Sequence, residues 1–295
     1  QEGAEEVSNG SFSQEGSELI LNGDFSSDTD WTKGDGWSIS NGFAKSDGSQ
    51  SSFSSIYQDY NLTVGKTYKI TFNLSDYISG LIRPLLDGTD IGAQYVSSNG
   101  NYIFYAKATS STNKLGVRCD ADFTGSIDNV SVKEVGQDWT LGTGWSIGDG
   151  VANFIGSAYG DALSQSNVST FGKDYTFDCD LTNGSFDVKI GSNSYVEYNG
   201  QPLYIAADNS GAPTQLLIRP RSSNITITNI SVKEVGQNWN LGTGWSIGDG
   251  KAICDGSGGG IFPTPNSLTS GAIVKFQVTI SDRTNGYIRI QNPSS

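Results

Sequence analysis

Polar and apolar residues alternate with a period of two in three well-separated stretches of this chain: GKTYKITFNLSD at 65–76, GKDYTFDCDLTN at 172–183 and GAIVKFQVTISD at 271–282. Such alternation predicts half-buried strands. Tyr68, Ile70, Phe72 and Leu74 fall on one face, matched by Tyr175, Phe177, Cys179 and Leu181, then by Val274, Phe276, Val278 and Ile280. A further strand starts at Gly80, Gly184 and Gly286, with inward sets Ile82, Pro84 and Leu86, then Phe186, Val188 and Ile190, then Ile288 and Ile290. That phase turns Arg83, Asp187, Lys189, Tyr287 and Arg289 outward. Cys119 is in phase with Leu115 and Val117 and reads as a core position.

A dodecamer sets the longer period. WTLGTGWSIGDG at 139–150 returns as WNLGTGWSIGDG at 239–250 and, loosened, as WTKGDGWSISNG at 31–42, and all six Trp lie in these copies. Asn41-Gly42, Asp149-Gly150 and Asp249-Gly250 favour the positive φ angles of two-residue type I′ hairpins. Such turns place Ile39 opposite Ala44, Ile147 opposite Ala152 and Ile247 opposite Ala252. One step further, Trp145 faces Phe154 and Trp245 faces Cys254, so all three thiols read as small buried hydrophobes. NGNYIFYAKA at 99–108 aligns with NGQPLYIAAD at 199–208, and DFTGSIDNVSVKEVGQDW at 122–139 with SSNITITNISVKEVGQNW at 222–239.

These repeats divide the chain into a module at 18–136, a second at 137–236, and an incomplete third at 237–295 that has no SVKEV strand. Residues 1–17 read as a linker or the end of an upstream module. Asn9-Gly10-Ser11-Phe12-Ser13 echoes Asn22-Gly23-Asp24-Phe25-Ser26, which fits the tail of an upstream module and a duplicated leading segment equally well. Only Gly-Gln separates Val135 or Val235 from the next repeat, so the array is expected to behave as a stiff rod.

Composition then narrows the class. With 38 Gly and only 7 Pro among 295 residues, the chain is rich in turns, as many short strands require, and the fold class is all-β. Hydrophobic residues are 35% of the total, but 13 Phe and 13 Tyr supply bulk for the cores. A net charge of −13 argues against nucleic acid and anionic membranes as partners. No apolar run is long enough for a membrane-spanning helix. The absence of His removes the Ser-His-Asp and Cys-His constellations and the commonest zinc ligand, and no acid recurs in a setting that would raise its pKa. The expectation is a protein that is not an enzyme. Gln1 in place of an initiator Met fits a processed protein or a piece of a longer chain.

NGDFSSDTDWTKGDGWSISNG, the GWSIGDG cores and SIDNVSVKEVGQDWTLGTGW resemble the carbohydrate-binding-module-like repeats of tail fibres and other virion structural proteins of tailed bacteriophages. The resemblance implies an antiparallel jelly-roll β-sandwich, of the galactose-binding type, for each module. It also implies a place on the virion surface, host cell-surface polysaccharide and other virion proteins as partners, and a homo-oligomer. Bacterial secreted or surface adhesins, and accessory arrays on polysaccharide-degrading enzymes, carry similar modules and stand as alternatives. In related sugar-binding modules, aromatic and polar side chains of an exposed sheet face hold the sugar; here Arg83, Phe104, Tyr204, Tyr287 and Arg289 are the candidates. The family often holds a structural Ca²⁺ near the leading strand and a closing Asp, a position that Asp128 matches. The second module has Thr228 there, so no shared metal site is expected and no cofactor, with a single Ca²⁺ in module 1 as the remaining option.

Overall fold

The computed structural model describes residues 2–86, 94–205, 214–248, 250–263, 273 and 275–290. In chain order the strands begin with two short leading ones, β1 (Glu2–Glu5) and β2 (Glu15–Glu18). Next come β3 (Thr32–Lys33), β4 (Trp37–Ser40), β5 (Phe43–Asp47), β6 (Ser54–Asn61), β7 (Thr67–Ser79), β8 (Ile82–Leu86), β9 (Gly100–Lys107), β10 (Thr112–Cys119) and β11 (Thr124–Val135). The second copy supplies β12 (Thr140–Leu141), β13 (Trp145–Gly148), β14 (Val151–Ile155), β15 (Leu163–Gln165), β16 (Asp174–Asn183), β17 (Phe186–Ile190), β18 (Val196–Tyr198), β19 (Leu203–Ile205), β20 (Leu216–Pro220) and β21 (Asn224–Val235). The third has β22 (Trp239–Leu241), β23 (Trp245–Gly248), β24 (Lys251–Cys254) and β25 (Ile261–Pro263).

These strands build two antiparallel sandwiches of the jelly-roll kind. In the first, a sheet ordered β4-β5-β11-β7-β9 faces a sheet ordered β3-β6-β10-β8. In the second, β13-β14-β21-β16-β19 faces β12-β15-β20-β17-β18. The alternating strands point inward as their pattern predicts: Tyr68, Ile70, Phe72 and Leu74 are buried, as are Tyr175, Phe177 and Cys179. Each sandwich encloses its own apolar cluster, rich in aromatic rings, such as Phe177 edge-on to Tyr198 at 5.4 Å between centroids. Burial of a large apolar side chain stabilises by about 1.5–3 kcal/mol, so a few such rings carry much of a module's stability.

The hairpins form where Asn-Gly and Asp-Gly stand. Asn41 and Gly42 have φ of 55° and 78°, Asp149 and Gly150 of 53° and 74°, and Ile39↔Ala44, Ile147↔Ala152 and Ile247↔Ala252 pair as the turn dictates. Trp145 packs on Phe154 with ring centroids 5.3 Å apart and donates its indole N–H to the Asp161 carbonyl at 2.9 Å. The Trp245–Cys254 pairing also forms, but Cys254 is exposed, against the expectation of a core thiol. Cys119 and Cys179 are buried, and burial pushes their thiols up to about 11 and about 12, which leaves both protonated and unreactive at neutral pH.

Residues 1–17 are not a linker. β1 joins the second sandwich along β21, while β2 joins the first along β11. The two leading segments, QEGAEEVSNGSFS at 1–13 and QEGSELILNGDFS at 14–26, are identical at eight of thirteen positions. They make the same contacts in different modules. Glu18 accepts the Val132 N–H at 2.9 Å and the Ser131 hydroxyl at 2.5 Å; Glu5 accepts the Val232 N–H at 2.7 Å and the Ser231 hydroxyl at 2.6 Å. Trp31 donates to the Asn22 carbonyl at 2.9 Å and packs on Phe25; Trp139 donates to the Asn9 carbonyl at 3.1 Å and packs on Phe12. Gln58 exchanges two hydrogen bonds with the backbone of Leu21, and Gln165 does so with Ser8. Gly10 and Gly23 lie against the Ile230 and Val130 carbonyls so closely that any Cβ would collide with them. Residues 1–13 are therefore a strap that crosses from the start of the chain to the second sandwich.

The third repeat shows what the strap does. Among the described residues no strap lies on Trp239, which is 42% exposed where Trp139 is 1% and Trp31 8% exposed. The strand expected at 271–282 and the one from Gly286 do not form within the described residues: Phe276, Val278, Ile280, Ile288 and Ile290 are exposed and unpaired. Val274 lies outside the described residues. In both complete modules the alternating strand is held by the SVKEV strand, as β7 by β11 and β16 by β21. Among the described residues after 237 no such strand lies beside the alternating stretch, and an unpaired strand leaves its backbone groups without partners.

The Gly-Gln connection brings each sandwich onto the next hairpin. Tyr105 of β9 lies on Gly148, whose Cβ position is 3.0 Å from the ring, and its hydroxyl donates to Asp149 at 3.1 Å. Tyr204 of β19 meets Gly248 in the same way, at 3.2 Å. A valine at this glycine has to displace the ring, so Gly148→Val is expected to alter the angle between the sandwiches and change the small-angle scattering profile, with each sandwich still folded. An unchanged profile would remove Tyr105 from the joint.

Candidate functional site

The outer face of the second sheet in each sandwich carries cationic and aromatic side chains in close register. In module 2, β17 and β20 turn Phe186, Val188, Leu216 and Ile218 into the core, so Asp187, Lys189 and Arg219 project outward, joined by Arg221 just past β20. The guanidinium of Arg219 lies 3.9 Å from the Tyr195 ring and 5.2 Å from the Tyr159 ring, and Arg221 is 5.9 Å from Tyr159. Lys189 is 5.6 Å from the same Tyr195 ring. Tyr159 is 58% exposed, so the arrangement offers ring surface to solvent.

Asp187 locks the two arginines. Its oxygens accept from Arg219 Nη2 at 2.6 Å and Arg221 Nη1 at 2.9 Å, and Glu197, directly across in β18, takes Arg221 Nη2 at 3.3 Å. Although outward by phase, Asp187 is only 3% exposed, because the two guanidinium groups cover it. Desolvation is the largest influence on its carboxyl and pushes the pKa up, but the hydrogen bonds from Arg219 and Arg221, with their charges, outweigh it and hold the group below the usual carboxylate range. The Arg219 Nε–H is buried without a partner.

Module 1 has the corresponding face on β6, β8 and β10. Arg83 lies 5.3 Å from the Tyr95 ring, Arg118 4.8 Å from Phe53, and Lys114 4.5 Å from Tyr57. Phe53 is 53% exposed. Residue type explains the arrangement: arginine is weakly hydrated, stacks on aromatic faces and keeps its forked donors free for an acceptor in the plane.

Of the residues expected to bind sugar, the structure places Arg83 alone on this face. Phe104 is a correction. It stands opposite Ile70 in the β7–β9 pair, shares that residue's inward direction, and is buried with its ring 5.8 Å from Phe72; Ile103 is the exposed neighbour. Tyr204 is opposite Thr176, outward but on the other sheet, where it forms the joint with Gly248. The register shows why: Tyr68↔Ala106 and Tyr175↔Ile205 make Tyr204 the counterpart of Tyr105, so the alignment of 99–108 with 199–208 is one residue out of step. Tyr287 and Arg289 are exposed in the unpaired part of the third repeat and belong to no sheet among the described residues. Asp128 accepts the Asn129 backbone N–H at 2.6 Å and side-chain N–H at 2.9 Å, and among the described residues it belongs to no cluster of three or more acidic or thiol side chains.

The pattern missed Arg118, Arg219, Arg221, Phe53, Tyr95, Tyr159 and Tyr195. The arginines were findable, since Leu115, Val117 and Cys119 in phase already turn Arg118 outward. The aromatics come from loops and flanks without periodicity.

No family model and no curated protein matches the chain. It is similar to a solved structure described as the N-terminal CBM22-1-CBM22-2 tandem domain from Paenibacillus barcinonensis Xyn10C, at 10% identity, over 76% of this chain and 99% of that one, with a TM-score of 0.32.

Proposed function

We propose that this chain is a non-catalytic polysaccharide-binding array, in which the exposed arginine–aromatic faces of the two sandwiches hold glycan. The observation that carries the reading is the recurrence of that face: Arg219 with Tyr159 and Tyr195 in one module, Arg83 and Arg118 with Tyr95 and Phe53 in the other. Exposed rings beside forked donors suit a flat, hydroxylated ligand, with the ring face against the apolar side of the sugar and the donors on its oxygens. Among the described residues the carboxyl groups whose pKa departs from the ordinary range, Glu15, Asp47, Asp161, Asp187 and Asp255, are all lowered, the opposite of what a general acid needs. The setting we propose is the outside of a phage particle, with the strap and the tyrosine–glycine joints favouring an extended appendage that presents its faces to a host-surface glycan.

Gel electrophoresis through soluble polysaccharides tests this. Migration is expected to be retarded by at least one polymer, and the double substitution Tyr159→Ala/Tyr195→Ala to weaken module 2 binding roughly fivefold or more. Unretarded migration in every neutral and acidic polymer would sink the reading.

A further inference from the structure

The two faces differ at one cross-strand pair. In module 2 Asp187 stands directly across from Arg219. In module 1 the same place holds Arg83 across from Arg118, as the flanking pairs Ile82↔Cys119 and Phe186↔Pro220 establish. Directly opposed side chains have Cβ atoms about 4.5–5.5 Å apart, and like charges there repel. Both arginines are half-buried, and among the described residues neither they nor Lys114 has a salt-bridge partner. A chain with a net charge of −13 thus leaves two directly opposed arginines without a carboxylate between them among the described residues, whereas Lys114 stands across from Asp59.

Module 2 displays the group that would complete such a pair. There one carboxylate takes an N–H from each of two arginines, at 2.6 and 2.9 Å, beneath the aromatic rings. Module 1 has the guanidinium groups and the rings without the carboxylate.

We propose that Arg83 and Arg118 form a recognition site for a sugar carboxylate, so that module 1 takes a uronate residue of an acidic polysaccharide. The inference rests on the glycan-binding reading and names its ligand class. The carboxylate accepts from both guanidinium groups, relieving their repulsion, while Tyr95, Phe53 and Tyr57 flank it with apolar surface for the adjoining rings. Module 2, with its carboxylate built in, is left to neutral sugars.

The experiment uses the full chain against polygalacturonate, dextran sulfate and a neutral xylan. Polygalacturonate is expected to bind tightest and to weaken as salt rises. Arg118→Glu, which restores an opposite-charge pair and so keeps the fold, is expected to weaken polygalacturonate binding roughly tenfold or more. Xylan bound as tightly as polygalacturonate overturns the inference and leaves the glycan-binding reading intact. A preference for dextran sulfate overturns the carboxylate assignment. Polygalacturonate binding that survives Arg118→Glu overturns the site, and no binding to any of the three overturns both readings.

Discussion

Removal of residues 1–13 is expected to unfold the second sandwich and leave the first folded. The strap buries Val7 and Phe12 in the module 2 core, and at about 1.5–3 kcal/mol each these two side chains supply roughly 3–6 kcal/mol. Its loss also strips the cover from Trp139, leaves Gln165 without its two backbone partners, and frees the Val232 N–H that Glu5 accepts. A domain of this size has about 5–15 kcal/mol in total, so the loss takes most of the stability of module 2. Module 1 keeps its own strap, residues 14–26, with every equivalent contact. Hydrogen exchange followed by mass spectrometry reads the two modules separately. Protection is expected to vanish from β16 and β21 and to persist in β7 and β11. Equal loss in both modules, or no loss in either, would show that the strap does not belong to module 2. Phe12→Ala, which removes one ring and keeps the β1 pairing, is expected to give a partial version of the same pattern.

What the sequence discloses follows the range of each interaction. The hairpins at Asn41-Gly42 and Asp149-Gly150 are fixed by the backbone needs of two adjacent residues, and the inward faces of β7 and β16 by alternation within one strand; both can be read from a short window. The strap cannot. Glu5 meets Val232 across 227 residues, and the only trace in the sequence is an eight-in-thirteen identity that an acidic, unpatterned composition conceals. Phe104 and Tyr204 failed for a different reason. A strand slipped by one residue exchanges its two faces, and nothing local distinguishes the register of β9 from that of β19. Asp187 shows the third kind of limit. Its outward phase is legible, but its burial comes from Arg219 on another strand and Arg221 just past that strand's end. The third repeat carries the alternating pattern and does not pair among the described residues, because a strand is stabilised by its neighbour and no SVKEV strand lies beside it there.

Asp187→Ala is expected to lower the stability of module 2 by about 2–3 kcal/mol at neutral pH. Breaking a buried ion pair from one side costs about 3–5 kcal/mol when the partner charge stays buried. Here Arg219 and Arg221 are each about one-third exposed and recover some hydration, which argues for a smaller loss. They do not recover all of it, since Arg219 remains stacked on Tyr195 with its Nε–H already unpartnered. The pH dependence separates this ion pair from simple loss of packing. The Asp187 carboxyl is held below its ordinary value in the folded chain, so its contribution is complete above about pH 4, the unfolded carboxyl's range, and is lost as pH falls through the lower folded value. Thermal melts of the wild-type and variant chains should therefore differ by a constant interval above about pH 5 and converge below about pH 4. Melts that coincide at pH 7, or an interval that widens on acidification, would mean that Asp187 does not hold the two arginines as the geometry indicates. Asp187→Asn keeps the shape and removes the charge, so the share of the loss it reproduces is the part owed to the ionised carboxylate.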